Sequence, residues 1–136
     1  MGQMIVTDLG REALLGSAIN FANMQLFLFQ DPTTIDRTLV DADITEADFS
    51  GYGAESVVYG APEQDIGGEW VRIMPSKVFA HNGGGTANTI WGWGARDISS
   101  SHIWWAKIFD AAPVTFATAG DFRTLNSFII LTQPGT

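Results

Sequence analysis

Apolar residues in this chain fall in short runs, often at every second position, and Gly, Pro, Asp and Thr divide the runs. That pattern predicts strands and turns. Residues 89–95 alternate large and small side chains, and residues 102–109 are aromatic and β-branched, which suits a pleated surface better than a helix. Strict alternation would place Ile90 and Gly92 on one face and Trp91 and Trp93 on the other. Gly92 and Gly94 would then leave room for a neighbouring backbone or side chain to press closely. Residues 24–30 are apolar on both faces and predict a strand buried on both sides. Five further strands are predicted at 55–59, 69–74, 77–81, 114–117 and 122–132, with Pro75 dividing the second from the third.

Only residues 7–19 change to a helical period. Leu9, Ala13 and Gly16 repeat at that spacing, with Leu14, Ala18, Leu15 and Ile19 beside them. Thr7 or Asp8 is placed to cap the first turn by accepting from free backbone amides. Residues 4–6 form an apolar lead-in. After the break at Asp31-Pro32, a long connection contains a possible short pairing segment at 38–40 and a helical turn at 45–49, with Phe49 and Tyr52 anchoring the loop. The sum is an all-β chain: a jelly-roll-like antiparallel β-sandwich of about eight strands with one short N-terminal helix. A length of 136 residues fits a single domain over 1–136, with 1–20 as arm and helix and 24–132 as sandwich.

Charge sharpens this picture. Residues 31–65 hold nine acids against Arg37 alone, which accounts for the whole net charge of −8. The rest of the chain is neutral and carries no basic stripe, so nucleic acid is not an expected partner. The acidic segment reads either as a solvated loop or as a salt-sensitive contact for a basic surface. No run approaches the roughly 18 apolar residues of a membrane span, and the N-terminus lacks a secretory pattern, so a soluble protein is expected.

The search for chemistry returns little. With no Cys, thiolate catalysis and thiolate metal sites are excluded. His81 and His102 stand 21 positions apart without a second ligand nearby, so each reads as a structural histidine, and the HxH pair of metal-binding cupins is absent. The run His81-Asn82-Gly83-Gly84-Gly85 is superficially like an esterase oxyanion loop, but no GxSxG elbow accompanies it. Asp41, Asp43, Glu46 and Asp48 could offer oxygens to calcium, yet the pattern lacks the central Gly and terminal Glu of an EF-hand loop. No cofactor is expected. The four Trp between 81 and 109 read as core, although any exposed Trp, Trp70 included, could stack on a sugar.

Three segments in order carry a resemblance: Thr7 to Leu15 (TDLGREALL), Leu26 to Phe29 (LFLF) and Ile44 to Tyr52 (ITEADFSGY). Downstream come Thr89-Ile90-Trp91-Gly92 after a Gly-rich turn, then Trp104 to Asp110, then Ala119-Gly120-Asp121. Together they resemble small virion proteins of tailed bacteriophages. The resemblance implies a structural, non-enzymatic role, best matched by a head decoration or cement protein on the outer capsid surface. It further implies the major capsid protein as partner and self-association, with a homotrimer suiting a capsid three-fold axis. The candidate partner contacts are Ile5, Leu9 and Leu14 of the N-terminal segment, a possible docking arm, and Asp41, Asp43, Glu46 and Asp48 of the acidic loop. A receptor- or carbohydrate-binding module of a tail or fibre is the second reading.

Overall fold

The computed structural model describes residues 4–10, 19–31, 36, 38–64, 67–68 and 70–130, with backbone alone for 126–130. Its strands are β1 (Met4–Val6), β2 (Met24–Phe29), β3 (Glu55–Val57), β4 (Glu63–Gln64), β5 (Trp70–Ala80), β6 (Asn88–Ile90), β7 (Gly92–Asp97), β8 (Ile103–Ile108), β9 (Val114–Phe116) and β10 (Phe122–Ile130). All pairings are antiparallel, so the expected all-β class is the observed one. A five-stranded sheet runs β1-β8-β7-β2-β3, a three-stranded sheet β10-β5-β4, and β6 pairs with β9 alone. The β7–β8 hairpin stays inside one sheet, which refines the jelly-roll-like description.

The five-stranded sheet is the middle layer. On its inner face Met24, Leu26 and Leu28 of β2, with Trp93, Ala95 and Trp105, pack against Met74 and Phe79 of β5, Leu125 of β10, and Ile90 and Phe116 of the β6–β9 pair. On its outer face Phe27, Phe29, Ile103 and Ala106 are buried beneath Leu39, Ile44, Ala54 and Trp91. The predicted two-sided burial of β2 therefore holds, because a second layer covers each face. The Phe27 and Phe29 rings lie over Gly94 and Gly92, their register partners on β7, at the positions where a Cβ would sit. Absent side chains on β7 thus make the slots that seat aromatic ones from β2.

Four sequence expectations need correction. Trp91 and Trp93 do not share a face: Trp93 belongs to the inner core and Trp91 to the outer cluster. The chain leaves the β6–β9 pair at Ile90 and enters the large sheet at Gly92, and side-chain parity slips at that crossing. Likewise Pro75 does not divide two strands; it lies inside β5. β4 pairs only with Trp70 and Val71, so beside Pro75 β10 is the one described strand that pairs with β5, and the register with β10 shifts there. A missing N–H facing an unpaired side breaks no ladder bond. Residues 45–49 form no helical turn; the turn lies earlier, as a 3₁₀ segment at Asp41–Asp43, and Glu46 instead bridges to Phe29. No strand forms at 38–40; Leu39 is spent covering the outer face. The lead-in 4–6 is the edge strand β1.

Most of the expected helix, 11–18, lies outside the described residues, and Leu14 with it. Residues 8–10 are helical. Thr7 caps them as expected: its buried Oγ1 accepts from the Gly10 N–H at 2.9 Å and donates to the Ile103 carbonyl at 2.6 Å, tying the helix start to β8.

Candidate partner-binding surface

Alternation along β7 puts Arg96 on the same outward face as Gly92 and Gly94, opposite Gln25 of β2. Its guanidinium lies 4.7 Å from the Phe27 ring centroid, and Nε donates to Gln25 Oε1 at 2.8 Å. Two acids of the connecting loop then converge on Nη1: Glu46 at 2.8 Å and Asp41 at 3.5 Å. The Arg96 side chain is only 12% exposed while that of Asp41 is 48% exposed, so a largely covered cation pins an acidic loop whose outer charge still faces water. The loop is not merely solvated; its apolar residues roof the sheet and its acids fix the roof.

Tyr52 completes the clamp. Its hydroxyl donates to Glu46 Oε2 at 2.6 Å and accepts from the Leu28 N–H at 3.2 Å, while its ring meets Phe49 edge to face. Phe49 stacks on Phe116 with centroids 4.5 Å apart, so both residues anchor the loop as the sequence suggested. Burial first, and then the Glu46 contact, push the Tyr52 hydroxyl far above the usual tyrosine range. Burial does the same to Tyr59, whose hydroxyl accepts from Trp105 Nε1 at 3.1 Å in the inner core.

The other two acids have partners of their own. Asp43 Oδ2 accepts from the Val40 N–H at 3.1 Å and closes the 3₁₀ turn. Asp48 Oδ1 accepts from Asn88 Nδ2 at 2.8 Å, and its own N–H donates to Asn88 Oδ1 at 2.7 Å. Asp41 and Glu46 thus share Arg96 while Asp43 and Asp48 turn to other partners, so the four acids do not converge on one point. Among the described residues no three His, Cys, Asp or Glu side chains form a group able to hold a metal ion.

Of the N-terminal candidates, Ile5 pairs with Ala106 at the β1 edge, and Leu9 comes to the acidic loop. Leu9, Val40, Asp41, Ala42, Ser100, His102 and Ile103 share a cleft of about 380 Å³. This cleft joins the two segments that the sequence marked separately. In it Ser100 Oγ donates to Asp97 Oδ2 at 3.0 Å and the His102 ring packs edge to face with Trp104.

The Gly-rich loop closes on itself. His81 Nδ1 accepts from the Gly83 N–H at 2.9 Å, so the Nε2 that lies 2.9 Å from the Thr86 carbonyl is the protonated one. Gly84 N–H donates to Asn82 Oδ1 and Thr86 N–H to Ser50 Oγ, leaving these amides committed instead of aimed at an oxyanion.

Arg96, Gln25 and Asn88 were not marked by sequence reasoning. The available signal was a lone cation on the glycine-bearing face of β7. Set against known proteins, the chain matches no family model, no curated protein and no solved structure.

Proposed function

We propose that this chain is a structural virion protein of the decoration or cement kind, docking on the outer surface of a phage head and bracing the major capsid protein lattice by contact, without catalysis. The phage assignment rests on the resemblance of residues 7–15, 26–29 and 44–52. The observation that carries the binding role is the acidic loop pinned by Arg96. A surface already held in one shape loses little conformational entropy on docking, and its outward carboxylates suit a basic partner face. Commitment of His81, Ser100 and the glycine amides to internal bonds supports a structural role over a catalytic one.

The test is co-sedimentation of the purified chain with DNA-emptied heads stripped of this protein, over a range of salt. Retention at low salt, release as salt rises, and cryo-electron microscopy density bridging neighbouring capsid subunits are expected. Absence of binding, or density confined to the tail, overturns the proposal. Trp70 favours the second reading, a glycan- or receptor-binding module of a tail or fibre: it is the one exposed Trp, whereas Trp93, Trp104 and Trp105 are buried. Quenching of Trp emission by added glycans supports that reading, and unchanged emission removes it.

A further inference from the structure

The sheet edges of this molecule are unequal. β1, β3, β6 and β9 have three residues each and β4 has two, and short edge strands are a standard protection against unwanted pairing. β10 has nine, and among the described strands it pairs only with β5. Among the described residues, one row of its backbone N–H and C=O groups thus pairs with no strand over about three times the length of any other edge strand, and residues 123–125 border a cleft shared with Lys107, Phe109 and Asp110.

Composition removes the usual deterrents from that edge. Residues 122–130 read FRTLNSFII, with no Pro, no Lys, no acid and Arg123 as the single charge. In a chain of net charge −8, Asp41, Asp43, Glu46 and Asp48 belong to the loop over the five-stranded sheet and not to this strand, which lessens the repulsion between two copies that meet along it. Beside the edge, Phe122 is 63% exposed and Ile73 and Val78 are exposed as well, an apolar margin on the same three-stranded sheet.

We infer that β10 is a self-association edge: two copies pair β10 to β10, antiparallel, about a two-fold axis, and fuse two three-stranded sheets into one of six strands. An isologous contact suits a strand that presents the same edge to its twin. The inference is independent of the virion reading, and it differs from the three-fold assembly that the resemblance implies.

Sedimentation equilibrium over a concentration series, combined with amide hydrogen exchange across residues 122–130, tests it. The expected result is a mass twice the 14.7 kDa of the chain, with the outward-facing amides of β10 protected in the dimer and exchanging freely on dilution. Thr124 is exposed, and Thr124→Lys places like charges near the twin strand at two symmetry-related sites. That variant, checked for an unchanged circular dichroism spectrum, should weaken the dimer by about tenfold. A monomer at every concentration, a trimer, or a dimer whose β10 edge exchanges freely would each overturn the inference. So would protection that appears only when a capsid protein is added.

Discussion

The two faces of the five-stranded sheet are buried by different means. Inside, sheet packs on sheet, and Trp105, Met24 and Leu26 are sealed by apolar neighbours from other strands. Outside, a loop does the covering, and it is held by one guanidinium and one phenol as much as by Leu39 and Ile44. Sheet-on-sheet packing gains from many dispersion contacts fixed by two backbones, whereas a loop roof needs charged and hydrogen-bonded tethers to offset its freedom. The inner face is therefore the foundation of stability, and the outer face is where surface shape is set.

Substitutions rank the two layers. Trp105→Ala should cost about 3–5 kcal/mol in denaturant unfolding and lower the stability of the whole chain, since it opens a cavity in the inner core. Gly94→Val forces a side chain under the Phe27 ring and should cost about 1–3 kcal/mol. Much of that loss should be recovered in the double variant with Phe27→Leu, and a strictly additive double variant would refute the slot.

Arg96→Ala comes next, at about 1–2 kcal/mol, because it leaves Glu46 half-buried without its cation and strips the cover from Phe27. Its signature should be regional, with faster amide exchange over residues 38–48 and little change in β7 or β8. Global unfolding of Arg96→Ala at a cost equal to that of Trp105→Ala would mean that the two faces are one cooperative unit.

Alkali should strain both layers together. The Tyr52 and Tyr59 hydroxyls are held above their ordinary value of 10.0 in the folded chain, so above that pH the unfolded chain releases protons that the folded chain keeps. The stability they contribute is complete below pH 10 and falls as pH rises beyond it. Tyr52→Phe and Tyr59→Phe should each flatten the alkaline limb, and an unaltered limb in both would show that these phenols titrate freely. The smallest effect lies at the acid end. Asp121 accepts from the Ala117 and Thr118 amides, which lowers its carboxyl below the usual range. Its contribution is present above the ordinary Asp value and is lost as pH falls through the lowered one, so Asp121→Asn should remove a small part of the acid dependence.

Much of the architecture was legible in sequence because it depends on local period. The two-sided burial of β2, the room left by Gly94, the Thr7 cap and the anchoring role of Phe49 all follow from residue type and spacing. What stayed hidden depends on partners distant in the chain. The slip of parity at Trp91 arises from a change of sheet, and Pro75 is tolerated because β4 ends before reaching it. Arg96 acquires its meaning only when folding carries Asp41 and Glu46, fifty or more positions away, onto the same face. Of the candidate contacts, spacing located the acids but not their separate commitments.

The seating of Phe27 over Gly94 has an evolutionary consequence. Neither position can gain bulk alone, so sequences that drift from this one should exchange volume between 27 and 94 as a pair, with enlargement on β7 accompanied by reduction on β2. Trp93, whose side chain faces the opposite layer, should vary without reference to either.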